Sequence, residues 1–292
     1  MLPDSDCATR HCAVPGLSRP ADGAFAREQQ DRGARTASLV ARNSRDSPAS
    51  ADPRDNTGVI AWLAQNTPFP PLESALSDPN GLLAVGGDLS PRRILAAYRR
   101  GIFPWFGEGQ PILWWSPDPR MVLEVAAFNV SRSLRKRLAH HEFELSADTA
   151  FRAVVEACAR VPRAGQRGTW ITEDMIEAYV ELHALGYTHS IEAWRGGDLV
   201  GGLYGLALGR VFFGESMFSE ATDASKCALA ALVAHLRRLE VPLIDCQQET
   251  AHLRSLGARP IPRSAFAARL AQLIHSDASP QGWTPGRLDN LL

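Results

Sequence analysis

Glu215, Asp245 and Gln247 are the residues of this chain whose types and spacing are best suited to chemistry. Asp245 and Gln247 stand two apart in the run Val241-Pro-Leu-Ile-Asp-Cys-Gln247. On a strand that spacing points both side chains to one face. Glu215 lies in Val211-Phe-Phe-Gly-Glu-Ser-Met-Phe-Ser219, beside two hydroxyls, a thioether and an aromatic ring. A carboxylate in such a place can take a proton or attract a cation, whereas a neutral amide is too weak a base to do more than position a reacting group. Nucleophilic catalysis is the poorer reading, because Cys246 alternates to the opposite face and no histidine is paired by spacing with Ser216. No cluster has metal-ligand spacing, so neither a metal nor another cofactor is expected. The same residues can also simply cap backbone groups at strand ends, which is the structural alternative.

The elements that must hold these groups follow from the flanking pattern. Val211 to Phe213 reads as a strand that breaks at Gly214. A helix follows, with a cap signal at Thr222 and Asp223 and an apolar face along Cys-Ala-Leu-Ala-Ala-Leu-Val233. The second strand, ending on Asp245 and Gln247, comes straight after it. Upstream, Thr188 to Trp194 and Leu199 to Ala207 are apolar runs joined through Gly196-Gly197, a hairpin signal. The order is therefore three antiparallel strands, a helix and a strand, followed by a short helix, an extended Leu256 to Pro262 segment and a terminal helix from Ser264 to Ile274.

The rest of the 292 residues divides by composition. Residues 1–57 are rich in Arg, Asp, Ala, Ser and Pro and poor in large apolar side chains, the signature of a disordered extension. Ser90 with Pro91 starts a helix that Gly101 ends. The glycine pair Gly86-Gly87 completes no phosphate-binding motif. Gly101 to Phe106 and Ile112 to Arg120 place three of the seven tryptophans on Pro-flanked loops. Such rigid rings can stack a base at about 1–3 kcal/mol each, a role suited to Trp105, with Trp114 and Trp115 packing. Ser131 caps a helix in which Arg132, Arg135 and Lys136 share a face, with Arg137 beside them. It is the one dense cation cluster in the expected folded part and a candidate for phosphate contact, although basic helix faces are commonly just solvated. Phe151 to Arg160 is a helix with Phe151, Val154, Val155 and Cys158 inward. A flexible loop, Arg163 to Thr172, then ends near Trp170 and caps another helix.

Global properties set limits. The net charge of −1 excludes a polycationic mode of nucleic-acid binding, leaving only local patches. Five scattered cysteines indicate free thiols in a reducing compartment. No run approaches the roughly 20 apolar residues of a membrane span, and no secretory signal is visible. A cytoplasmic, soluble monomer is expected.

The order of elements resembles the GCN5-related acetyltransferase fold, but Ser219-Glu-Ala-Thr-Asp-Ala-Ser-Lys226 lacks that fold's glycine pattern for coenzyme A. Longer motifs are more specific: Pro79-Asn-Gly-Leu-Leu-Ala-Val-Gly-Gly-Asp-Leu-Ser90, Tyr98-Arg-Arg-Gly-Ile-Phe-Pro-Trp-Phe106, Leu113-Trp-Trp-Ser-Pro-Asp-Pro-Arg120, Gly168-Thr-Trp-Ile-Thr172, Gly214-Glu-Ser-Met-Phe-Ser219 and Leu243-Ile-Asp-Cys-Gln247. Together they resemble the leucyl/phenylalanyl-tRNA–protein transferase family from about Trp62 to the last helix. The resemblance implies an α+β chain: a small N-terminal α/β domain (58–118), then a GNAT-like catalytic domain (119–292) with a mixed, mainly antiparallel sheet flanked by helices. It implies transfer of Leu, also Phe and less well Met, from aminoacyl-tRNA to proteins with N-terminal Arg or Lys, an N-degron reaction. By the same resemblance Asp245 orients Gln247, whose carbonyl oxygen faces the attacking amine. Leu203, Phe212, Met217, Leu229, Leu232 and Ile244 are candidates to line the donor side-chain pocket, with ordinary core packing as the alternative. Trp105 and Trp170 would hold the 3′-adenosine, and Arg132, Arg135, Lys136 and Arg137 the acceptor stem. A coenzyme A-dependent acetyltransferase and a non-catalytic reader of basic N-termini are the competing readings.

Overall fold

The computed structural model describes residues 60–161, 169–275 and 282–288. The extension at 1–57 and most of the loop from Arg163 lie outside the described residues. In chain order the strands are β1 (Ala61–Leu63), β2 (Leu82–Gly86), β3 (Phe103–Pro104), β4 (Leu113–Trp115), β5 (Arg120–Glu124), β6 (Glu144–Ala147), β7 (Thr188–Arg195), β8 (Asp198–Leu208), β9 (Val211–Ser219), β10 (Leu243–Gln247), β11 (Arg259–Ile261) and β12 (Gly286–Arg287). The helices are α1 (Pro91–Tyr98), α2 (Arg132–Ala139), α3 (Phe151–Arg160), α4 (Glu173–Ala184), α5 (Ala224–Arg238), α6 (Ala251–Ser255) and α7 (Arg263–Leu273). Among the described residues no helix is long and apolar enough to cross a membrane.

Two sheets organise the chain, ordered β1-β2-β4-β3 and β11-β5-β10-β9-β8-β7-β6-β12. Among the described residues only β1/β2 and β9/β10 pair in parallel; the other neighbours are antiparallel. The fold is therefore α+β with mixed, mainly antiparallel sheets, as expected. Local signals account for the helix starts. Ser90, Ser131, Thr172 and Thr250 each accept a backbone N–H from the first turn of the following helix.

Alternation along the large sheet separates two cores. Val211, Phe213, Phe218, Tyr204 and Leu243 join a cluster with α1, α3, α4 and α7, which continues into the four-stranded sheet through Trp114 and Trp115. Phe212, Leu203, Ile244 and Leu123 face the other way, onto Leu229, Leu232 and Leu236 of α5. The helix α5 is buried along most of its length, as its alanine-rich sequence allows against a close sheet face.

Four local expectations are corrected. The strand from Val211 does not break at Gly214; β9 runs on to Ser219. Its irregularity is a bulge: Tyr204 pairs with Ser216 and Gly205 with Gly214, which leaves Glu215 as the extra residue. The loops holding Trp114 and Trp115 are in fact β4, which buries both rings and directs their N–H groups to Gly86 O and Trp105 O, at 2.8 and 2.7 Å. Arg120, expected as the end of a loop, opens β5, a strand between β10 and β11. Finally, Asp223 precedes α5 in the left-handed region (φ 66°) without capping it. Its carboxylate instead binds Arg137 and Lys226, at 2.8 and 2.6 Å.

Candidate active site

The parallel pairing of β9 with β10 covers only Leu243 to Asp245 against Val211 to Phe213. Beyond that point β9 continues alongside β8 alone, so the two strands part. Gly214, Ser216, Met217, Cys246 and Gln247, at the mouth of this opening, are all half-exposed. Glu215 keeps the alternation of Val211 and Phe213 and so faces the tyrosine-bearing core; the bulge shifts the phase after it, sending Met217 to the other face and Phe218 to this one.

Three elements from distant parts of the sequence meet at Glu215. Tyr98 from α1 donates to Oε1 at 2.6 Å, and Tyr179 from α4 donates to Oε2 at 3.1 Å. The two phenol oxygens lie 2.6 Å apart. Gln247 completes the set, its Nε2 donating to Glu215 Oε1 at 3.2 Å. Burial pushes the Glu215 carboxyl up to about 7; the Tyr98, Tyr179 and Gln247 hydrogen bonds pull it down, and the nearby Asp245 charge raises it. A proton count gives the same direction. The ring of Glu215, Tyr98 and Tyr179 contains three oxygen–oxygen contacts, and the two phenols supply only two protons. A proton on Glu215, given to one phenol while that phenol turns its own to the other, fills all three. Burial and the Glu215 charge likewise hold both phenols well above their ordinary range.

Asp245 occupies a different environment. It is fully buried and held two-pronged by Arg120, Nε to Oδ1 at 2.8 Å and Nη2 to Oδ2 at 2.6 Å. The guanidinium also donates to Gly101 O at 3.1 Å and lies over the rings of Phe103 and Phe266, each centroid 4.8 Å away. Asp245 Oδ1 accepts the Gln247 backbone N–H at 2.9 Å. That bond steadies Gln247 in the left-handed region, φ 60°, a conformation costly for a side chain with a Cβ. Asp245 and Gln247 are thus linked through the backbone, and the Gln247 side chain turns to Glu215 rather than to Asp245. Cys246 between them is raised far above an ordinary thiol by burial.

The other candidates fall into three groups. Leu203, Phe212, Leu229, Leu232 and Ile244 form one contiguous cluster under α5, each at most 4 % exposed, with Met217 half-buried at its edge. They occupy the face of the sheet opposite the tyrosines. Trp105 and Trp170 are both half-buried against the tyrosine-side core. Trp105 is fixed at its backbone, its N–H bonded to Leu113 O at 2.9 Å and its carbonyl to the Trp115 indole. Arg132, Arg135 and Lys136 are exposed on α2. Arg137 is not part of that free face: it is tied to Asp223 and Glu142 at 2.8 and 2.6 Å. Among the described residues, Asp148, His183 and His189 place possible metal-ligand atoms within 4.8 Å of one another, outside the Glu215 network. His189 Nδ1 is engaged with Asp148, and His183 Nδ1 with Thr188 O, at 2.7 Å each.

Sequence reasoning missed Arg120, Tyr98 and Tyr179. Each carried a signal. Arg120 heads an otherwise apolar run, and a charge entering a strand core needs a partner. The two tyrosines lie on buried helix faces, where a phenol hydroxyl must find a hydrogen bond.

Comparison with known proteins bears directly on this arrangement. The family models for leucyl/phenylalanyl-tRNA protein transferase and for its N-terminal domain match residues 122–271 and 87–118. The curated leucyl/phenylalanyl-tRNA–protein transferase of Aromatoleum aromaticum is 58 % identical over 226 residues, covering 77 % of this chain and 95 % of its own. The chain belongs to the leucyl/phenylalanyl-tRNA–protein transferase family. The relative of the same name from Thiobacillus denitrificans is 61 % identical over 216 residues, 74 % of this chain and 94 % of its own. The two matched ranges supply Tyr98, Trp105, Tyr179, Glu215, Asp245 and Gln247, so all of the candidate site except Arg120, which falls between them, lies in family-like sequence. A solved structure, L-PGS from Bacillus licheniformis, overlays with a TM-score of 0.32 at 9 % identity over 57 % of this chain and 53 % of its own, too distant to bear on the fold.

Proposed function

We propose that this member of the family transfers Leu, also Phe and less well Met, from aminoacyl-tRNA to the α-amino group of proteins beginning with Arg or Lys. The product carries a new N-terminal residue that marks it for regulated proteolysis. The observation that carries the reading is the opening between β9 and β10, with Gln247 half-exposed at its mouth and Glu215 directly behind it. In this reading residues 58–118 are a small domain supplying Tyr98 and Trp105, and residues 119–292 the catalytic domain. The enzyme acts as a monomer in the cytoplasm.

The donor ester is already activated, so the site must hold two substrates and deliver a neutral amine, because an α-ammonium cannot attack. The amine nitrogen forms the new C–N bond, the ester C–O bond breaks, and the 3′-oxygen of the tRNA leaves with a proton. Gln247 positions the amine. Asp245 is already neutralised by Arg120, which leaves it the task of holding Gln247 in place. Glu215, with its carboxyl near 7, is the group suited to take the ammonium proton and attract the basic acceptor. The cluster from Met217 to Phe212 receives the donor side chain. A thioether at its edge adapts to several shapes. Trp105 and Trp170 stack the terminal adenosine, and Arg132, Arg135 and Lys136 contact the acceptor-stem phosphates.

The test is transfer of labelled Leu from Leu-tRNA to peptides beginning with Arg, Lys or Ala. Label entering only the Arg and Lys peptides supports the reading. Acetylation of those peptides from acetyl-CoA without aminoacyl transfer overturns it. Peptide binding without any acyl transfer would leave a reader of N-termini.

A further inference from the structure

The C-terminal strap at residues 282–288 reaches the far end of the cluster under α5. Its strand β12 pairs Gly286 with Ala147 and Arg287 with Ser146, and Leu288 N donates to Leu145 O at 2.9 Å. Just upstream, Gly282 (φ +102°) passes so close to α5 that a Cβ there would lie 2.7 Å from Leu239 Cδ2. This close approach delivers Trp283 to a fixed place. The Trp283 ring stacks on His189, centroids 4.0 Å apart and planes within 8°, and on Phe212 at 5.9 Å and 27°. His235 of α5 tilts against it at 4.6 Å. Among the described residues neither Trp283 Nε1 nor His235 Nε2 has a hydrogen-bond partner, so packing against the rings and the apolar cluster seats the indole.

The position of Phe212 gives this contact its meaning. Along β9 the cluster begins at half-exposed Met217, opposite Leu203, and ends at Phe212, opposite Ala207 and beside Ile244. On α5, Leu229, Leu232 and His235 follow at helical spacing along the same direction. The row therefore has an open end at Met217 and a closed end at Phe212, His235 and Trp283. We infer that Trp283 closes the blind end of the donor side-chain pocket and determines which aminoacyl group fits. The inference rests on the transferase reading, in which that cluster receives Leu or Phe.

The experiment uses the full chain, with Trp283→Leu and Trp283→Phe, and measures kcat and KM for Leu-tRNA and Phe-tRNA with one Arg-initiated peptide. A pocket lengthened at its floor gains more for Phe than for Leu. Trp283→Leu is expected to raise the Phe:Leu ratio of kcat/KM by about tenfold, the scale on which pocket size discriminates apolar groups. Trp283→Phe gives a smaller shift in the same direction, and the KM for the peptide does not move. Equal losses for both donors, or an unchanged ratio, overturn the inference and leave Trp283 a structural ring. Should Trp283→Leu fail to fold, as judged by circular dichroism, the ratio in Trp283→Phe decides alone. Transfer of neither donor by the unmodified chain would overturn the transferase reading itself, and this role with it.

Discussion

A carboxylate shielded from water by two phenols and an amide titrates where an amine substrate does, and this can be measured apart from the reaction. With its folded pKa about 7, above the ordinary 4.5, Glu215 binds more protons in the folded than in the unfolded chain between those values. Its contribution to stability is therefore full below about 4.5 and is lost as pH rises through 7. The loss amounts to roughly 3 kcal/mol at 1.36 kcal/mol per unit. Denaturant titrations from pH 4 to 8 should show this fall, and Glu215→Gln should remove it while abolishing transfer. Tyr98→Phe removes a hydrogen bond that lowers the Glu215 pKa, so the inflection in kcat/KM should move to higher pH. An inflection unmoved by Tyr98→Phe would assign it to the substrate amine. Asp245 behaves differently because its charge is matched. Arg120→Met strands a buried carboxylate and should cost about 3–5 kcal/mol, and adding Asp245→Asn should recover much of that. A double variant no more stable than the single one would show that the two residues stabilise the fold independently.

At the scale of elements, the helix α2 illustrates how one stretch of sequence holds two roles. Arg132, Arg135 and Lys136 face solvent, while Arg137 ties α2 to the start of α5 through Asp223. Replacing the three exposed cations by Ala should raise the KM for aminoacyl-tRNA and lower the slope of log K against log salt by about 2–3. Arg137→Ala should leave that slope unchanged and reduce the melting temperature. Spacing made the shared face of 132, 135 and 136 readable, but not the tie of 137 to Asp223, 86 positions away. The same division holds elsewhere. Capped helices, the Gly196-Gly197 hairpin and the strand ending on Gln247 were legible because their causes are local. The strand β5 was not, because Pro117 and Pro119 read as loop, and its pairing with β10 depends on residues more than 100 positions downstream. Gly214 marked a real irregularity, but whether a glycine gives a break or a bulge depends on the neighbouring strand. Glu215, Asp245 and Gln247 could be named from the sequence; the tyrosines and the arginine that set their chemistry could not, since nothing local ties them to the site.

For the whole molecule, the two sheets are not independent. One apolar cluster runs from Leu63 and Trp114 through Tyr98 to Tyr179, Phe213 and Leu270, and Arg120 reaches from the large sheet to Gly101 and Phe103. A single cooperative unfolding transition is expected, with calorimetric and van't Hoff enthalpies equal. Two resolved transitions would show that the small sheet folds on its own. The tryptophans add a further consequence. The Trp105 and Trp115 rings meet edge to face at 5.5 Å and 68°, close enough for their electronic transitions to couple. Trp115 is sealed in the core and Trp105 is half-exposed. The pair therefore constitutes an optical gauge with one arm fixed and one arm open to a ligand: whatever settles on Trp105 will alter the near-ultraviolet dichroism of both, without a label and before any bond is made.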